Sequence, residues 1–273
     1  MIPPNRRKLF ASALAIGVEL FAALPADAED YKSPPPGGTA DVGSARITEK
    51  IKASDPFEGA NRVAFDVNQW LDHALLRPVA LGYRTVVPES ARNGFRNFMN
   101  NLNSPIAFAN NIFQGELDGA GNTLARFALN STIGVGGLFD IASDMDIPYR
   151  DEDFGQTLAV WGIDEGPYLY LLFMGPSSVR DLTGFIVDRA FDPLTYISGN
   201  EDGAYVALGL TATSIVDYRA RNIETLDDIE RSSVDYYASI RSLYRQSRAN
   251  SIRNGAPSST LPEFEPNAGS SAP

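Results

Sequence analysis

The side chains able to do chemistry are few. Among 273 residues there is one His, His73, and no Cys. A Ser-His-Asp hydrolase, or a zinc site needing several imidazoles, would have to be built around that single ring. Thiolate metal sites, a cysteine nucleophile, disulfides and a lipid attached through an N-terminal Cys all lack their residue. His73 itself reads as a surface or capping residue. Carboxylates are plentiful by contrast: Asp144, Asp146, Asp151, Glu152 and Asp153 form an acidic run. Pro148 and the missing loop glycine break the calcium-loop pattern, so the run reads as a solvated loop or a docking surface for a soluble partner. Asp151 and Asp153 are also the pair that a carboxylate-dependent hydrolase would use. Neither a metal nor a cofactor is expected.

A second unusual stretch is Gly134, Val135, Gly136, Gly137, Leu138, Phe139 and Asp140. It has neither the Lys-Ser/Thr pair of a phosphate loop nor the spacing of a dinucleotide-binding turn. Its glycines call for a permissive or closely packed backbone. The overall balance of 23 Lys+Arg against 34 Asp+Glu gives a net charge of -11. Binding to a phosphate backbone depends on positive charge, so nucleic acid is not expected as a partner.

The elements that must position these residues are mostly helical. Asp55-Pro56-Phe57-Glu58 has the form of a helix start, with an acid at the N-cap, proline at the first position and a Glu able to reach back. Val63, Val67, Trp70, Leu71 and Ala74 then draw one apolar stripe that should end before Pro78. A second helix is expected from Ser90 through Phe95, Phe98, Met99 and Leu102. A third follows Ser104-Pro105 through Ile106, Phe108 and Phe113, and Leu124, Phe127 and Ala128 mark a fourth. Buried aromatics would be the ordinary reading of these stripes. Thr157 to Trp161 fits strand or helix, and the apolar run Pro167 to Met174 fits a core or a bilayer interface but is too short to span. Val234, Tyr237, Ile240, Leu243 and Tyr244 outline a last amphipathic helix, with Arg241, Arg245 and Arg248 toward the end that favours cations.

The ends of the chain read differently. Residues 1–28 have the layout of an export signal: Arg6, Arg7 and Lys8, an apolar stretch, then Ala26-Asp27-Ala28. The paired arginines leave the twin-arginine and general secretory routes both open. Residues 29–46 form a Pro/Gly-rich linker and 254–273 a Pro/Ser/Gly-rich tail, which frame a helical domain at 47–253.

Read in order, Asp55-Pro56-Phe57-Glu58-Gly59-Ala60-Asn61-Arg62, Arg77-Pro78-Val79-Ala80, Val87-Pro88 and Ala91-Arg92-Asn93-Gly94 resemble the MlaA (VacJ) family of outer-membrane phospholipid-transport proteins. Later blocks agree: Gln114-Gly115, Arg126-Phe127, Leu129-Asn130, Gly134-Val135-Gly136-Gly137 with Asp140, Phe154 to Leu158, Gly166-Pro167-Tyr168 and Arg180-Asp181. The resemblance implies a mainly α fold, a ring of short amphipathic helices lying in the periplasmic leaflet of a Gram-negative outer membrane. It further implies a polar central passage through which phospholipids leave the outer leaflet for a soluble periplasmic lipid carrier, association with a porin trimer, and no enzymatic activity. Asp66, Val67 and Asn68 on the first helix, and Gly134 to Asp140, are the residues expected beside the passage. Most relatives are lipoproteins, so a chain with no Cys has to be held by apolar helix faces, with or without a porin's help.

The physics of the implied task is demanding. Two acyl chains of about 15 methylenes, at ~0.8 kcal/mol each, cost on the order of 25 kcal/mol to expose to water. A head group is comparably reluctant to enter hydrocarbon. A useful device therefore needs apolar flanks for the bilayer and a polar route for the head group, and in-plane amphipathic helices supply both.

Overall fold

The computed structural model describes residues 55–254; the expected export signal, the linker and nearly all of the tail lie outside the described residues. The fold is mainly α. Helix α1 (Glu58–Leu71) runs through a π-helical turn (Asp72–Leu76) into α2 (Arg77–Val86), followed by α3 (Glu89–Leu102), α4 (Ser104–Gln114) and α5 (Leu117–Thr132). The glycine loop leads to the single turn α6 (Ile141–Asp144) and then to α7 (Phe154–Val160). A hairpin of β1 (Tyr168–Leu171) and β2 (Gly175–Ser178) precedes α8 (Val179–Asp188), α9 (Pro193–Ile197), α10 (Glu201–Arg221), α11 (Ile223–Ser232) and α12 (Tyr236–Ile252).

Two local expectations are corrected and one open alternative is settled. Asp55 is not an N-cap: α1 begins without a side-chain cap, and Glu58 pairs with Arg62 at 2.8 Å. The apolar stripe does not stop before Pro78. The π turn absorbs the proline, whose ring forbids one ordinary helical hydrogen bond, and the helix continues to Val86. Residues Thr157 to Trp161 hold no strand, since α7 covers most of them. The run from Pro167 supplies β1, paired antiparallel to β2 with Tyr168 opposite Ser178.

The packed neighbours close a circuit. Helix α1 meets the π turn, which meets α2; α2 packs on α10, α10 on α3, α3 on α4 and α5, α4 on α7, α7 on α8, α8 on β2, and β1 returns to α1. Apolar burial is correspondingly divided into three clusters. The largest joins Phe65 of α1, Tyr168 and Tyr170 of β1, Leu226 of α11, and Tyr237, Ile240 and Tyr244 of α12. Its rings meet edge to face, as Phe65 does with Tyr170 at 5.2 Å, the arrangement their quadrupoles favour.

Polar side chains also join the arcs. The Asp55 carboxylate, fully buried, accepts from Asn61 Nδ2 (2.8 Å), Tyr237 Oη (2.5 Å) and Arg241 Nη1 (2.6 Å), tying the start of the fold to α12. Asn61 continues the link, donating to the Tyr168 carbonyl at 3.0 Å and accepting from the Tyr170 amide at 2.9 Å. Arg219 of α10 holds Asp72 of the π turn at 2.8 Å and Asp227 of α11 at 3.2 Å.

Asp55→Ala leaves a buried guanidinium, a phenol and an amide without their acceptor. We expect it to lower unfolding stability by about 3–5 kcal/mol, the cost of breaking a buried pair from one side. Denaturant unfolding in detergent checks this, with Glu58→Ala, which removes only an exposed pair worth at most ~1 kcal/mol, as the control.

Candidate functional site

The distribution of side chains is turned inside out. On α5 the buried face carries Thr123, Arg126 and Asn130, whereas Leu124 and Phe127 are exposed. On α4 the buried face includes Asn110 and Asn111, and Phe108, Ile112 and Phe113 point outward. On α1 the apolar stripe is the outer face: Val63 is 64% and Trp70 66% exposed, while Asn61, Phe65 and Asn68 face inward. In water a buried polar group costs free energy unless it is hydrogen-bonded and a broad apolar surface is rare, which sets these three helices apart from those of an ordinary globular domain. No helix of the described residues is long and apolar enough to cross a membrane.

The polar interior is assembled in three linked stations. In the first, Arg126 places Nη2 at 2.8 and 2.7 Å from the two Asp140 oxygens and also donates to the Ile147 carbonyl. Asn130 donates to Asp140 at 2.9 Å and accepts from the Ala142 amide at 3.0 Å. Burial would raise the Asp140 pKa, but hydrogen bonds from Ser143 and Asn130 and the Arg126 guanidinium hold it below the usual value. Asp140 also caps α6.

The second station joins α4, α7 and α8. Asn110 donates to Asp188 at 2.8 Å and accepts from Thr157 at 2.8 Å, and the Phe154 amide donates to the other Asp188 oxygen at 2.9 Å. Gln114 donates to Glu152 at 3.0 Å and to Thr157 at 3.2 Å. Close approach of α7 and α8 requires glycine, because a side chain on Gly184 would overlap the Gly155 backbone. Desolvation pushes both Glu152 and Asp188 up to about 7, against the hydrogen bonds they accept. Asp151 is exposed, yet surrounding protein and the neighbouring Asp153 carboxylate push it up to about 6.

The third station is Arg248 of α12, which binds Asp153 Oδ1 at 2.6 Å and Asp181 Oδ1 at 3.0 Å; Tyr244 also donates to Asp181. Burial alone would raise the Asp153 pKa, but the Arg248 charge overrides it and holds the carboxyl below its ordinary value. This changes the reading of the acidic run. Asp144 and Asp146 are solvated, whereas Glu152 is buried and Asp153 caps α7. A hydrolase pair of Asp151 and Asp153 would have to use a carboxylate already committed to a guanidinium. Arg241 and Arg248 are themselves buried in ion pairs, and neither serves as a solvent-facing complement to a helix end.

The residues expected beside a passage fall into two places. Asp66 and Val67 are exposed on α1, while Asn68 turns inward, donating to the Leu171 carbonyl and accepting from the Phe173 amide, both at 2.9 Å. Asn68 thus holds the hairpin turn. Gly134 to Asp140 lies against α3: a side chain on Gly137, at φ 95°, would overlap Asn101, and Asn97 donates to the Leu138 carbonyl at 3.4 Å. Gly134 is buried, Gly136 adopts φ 71°, and Val135, Leu138 and Phe139 form an exposed apolar fringe over the Asp140 anchor. The two segments are fixed to different parts of the circuit. Sequence reasoning missed Arg126, Asn110, Asp188 and Arg248 as organisers of the interior; polar residues on the helix face opposite each apolar stripe were the available signal. His73 is half exposed, 3.3 Å from Glu230.

Comparison with known proteins agrees with this architecture. Residues 53–251 match the family described as MlaA lipoprotein. The chain is 32% identical over 268 residues to the intermembrane phospholipid transport system lipoprotein MlaA of Escherichia coli, covering 96% of this chain and 94% of that one. It is 33% identical over 204 residues to an uncharacterized protein of Rickettsia felis, covering 74% and 80% respectively. A solved structure described as the structural basis for maintenance of bacterial outer membrane lipid asymmetry superposes with a TM-score of 0.66 at 33% identity, covering 73% of this chain and 99% of that one.

The raised carboxyls give the fold an unusual pH response. Because folding lifts the pKa of Glu152 and Asp188, the native state retains protons that the unfolded chain loses between about pH 4 and 7, and stability falls as pH rises through that window. Asp188→Asn removes the charge but keeps only one of the two acceptors, so the hydrogen bond from Asn110 or from the Phe154 amide is lost. The variant should be the less stable protein near pH 4, and its stability relative to the unaltered protein should improve by on the order of 1–3 kcal/mol at pH 8. Thermal melts at both pH values decide this.

Proposed function

The chain belongs to the MlaA family, and on that footing we propose that it is an outer-membrane component that removes mislocalised phospholipid from the outer leaflet and passes it toward a periplasmic carrier. The observation that carries this reading is α5, whose buried face bears Thr123, Arg126 and Asn130 while Leu124 and Phe127 face outward. Such a helix lies in a membrane plane with its apolar side in acyl chains and its polar side toward a hydrated interior. We place the closed circuit of helices in the periplasmic leaflet, with Trp70, Phe108, Leu124 and Phe127 among its lipid-facing side chains. The relatives are named as lipoproteins, whereas the present sequence contains no Cys, so retention in the leaflet falls to those faces and to a porin trimer beside them.

The task divides between residues already described. The Arg126–Asp140 clamp and the exposed Asp151, which accepts from Asn103, offer polar contacts to a head group. The apolar fringe of Val135, Leu138 and Phe139 gives acyl chains a surface above that path, and the domain taken at 47–253 is the transporting unit. No nucleotide-binding pattern accompanies these elements, and we assign the protein no chemical step: direction is set by the affinity of whatever receives the lipid.

Loss of the protein should leave phospholipid in the outer leaflet and sensitise cells to detergent. A deletion strain with unchanged outer-leaflet phospholipid and unchanged detergent resistance would overturn the reading. At the level of the molecule, Leu124→Asp combined with Phe127→Asp should abolish flotation of the purified protein with vesicles while helical content by circular dichroism stays the same.

A further inference from the structure

An open cleft of about 380 Å³ lies between the end of α7, the α7–β1 loop, α8 and α12. Three guanidinium side chains line it, Arg180, Arg245 and Arg248, against two carboxylates, Asp164 and Glu165, and aliphatic groups that include Ile163 and Ile252. Arg180 and Arg248 are more than nine-tenths buried, so their charges are fixed in place by the fold. Arg180 is oriented by Asp181 at 3.2 Å and by the Ile163 carbonyl at 3.4 Å. Arg245 is held differently, with Nη2 at 3.1 Å from Glu165 in a pair that is partly exposed on both sides.

We propose that this cleft is a phosphate-binding station for the head group of a phospholipid leaving the polar interior; the inference rests on the transport reading above. The guanidinium edges of Arg180 and Arg245 match the non-bridging oxygens of a phosphodiester, and the aliphatic wall suits the glycerol and the first methylenes of the chains. The volume is at the low end of the ~300–1,000 Å³ typical of ligand sites and accommodates a head group, not a whole lipid. Arg248 lines the cleft while its own donors are taken by Asp153 and Asp181, so it joins the cleft to the third station of the interior and adds no open donor. Glu165 occupies Arg245 as a built-in competing anion. A partly exposed pair of this kind is worth on the order of 1 kcal/mol, so a phosphate displaces it and is itself released, as a transit site requires.

The competitor gives the test two opposite arms. Calorimetric titration of the full chain with dihexanoyl-phosphatidylglycerol below its micellar concentration should show binding. Arg245→Gln should weaken it about tenfold, and Glu165→Gln should tighten it severalfold, with melting temperatures unchanged in both. Dihexanoylglycerol, which lacks the phosphate, should not bind. Affinity unmoved in both variants overturns the proposal, as does inorganic phosphate binding as tightly as the lipid, which would mark a site for the free ion. Should unaltered protein restore lipid asymmetry in the deletion strain while both variants bind as it does, this station fails and the transport reading stands. Should it not restore asymmetry, the transport reading fails on its own account.

Discussion

Guanidinium–carboxylate clamps between elements far apart in the chain are what hold this molecule in shape. Asp55 with Arg241, Asp72 with Arg219, and Asp153 and Asp181 with Arg248 join segments distant in the chain, and Arg126 with Asp140 fastens the glycine loop to α5. A globular domain of this size would place one continuous apolar core at those junctions. Here apolar burial is split into three clusters, because the helices spend their apolar faces on the exterior. The desolvation cost of a buried ion pair is offset only by good geometry and complete hydrogen bonding. That explains why the clamps are bidentate or shared, and why Asn and Gln side chains complete nearly every one.

The same constraint explains the electrostatics of the interior. Asp140 and Asp153, each facing an arginine, stay ionised, while Glu152 and Asp188, facing amides and hydroxyls, are pushed toward the neutral form. The polar wall thus alternates between fixed charge and groups that change protonation close to neutrality.

Much of this was legible in the sequence, but not its handedness between inside and outside. The stripe of Val63, Val67 and Trp70 was readable from spacing alone, as were the boundaries near Ser90 and Ser104-Pro105. Which side of the stripe faced the protein was not, because period reports segregation of apolar from polar residues and not the identity of the surrounding medium. The order of short motifs supplied that missing piece through family resemblance. Asp55 misled for a related reason: an acid ahead of a proline fits a local cap and a distant arginine equally well, and Arg241 lies 186 residues away. The hairpin was hidden because Tyr168 to Leu171 is only four residues long and its partner strand, Gly175 to Ser178, carries no apolar signature. Helix α10 gave no stripe to find, since apolar residues surround its first half on all sides.

The union of Asp55 with Arg241 has a bearing on how such a chain comes into being. The first described residue finds its partner only in the last described helix, so this junction forms only once α12 has been made. A chain cut ahead of α12 would keep the contacts that run from α1 round to β1, but it would strip Tyr237, Ile240 and Tyr244 from the largest apolar cluster and leave Asp55 a carboxylate with no guanidinium beside it.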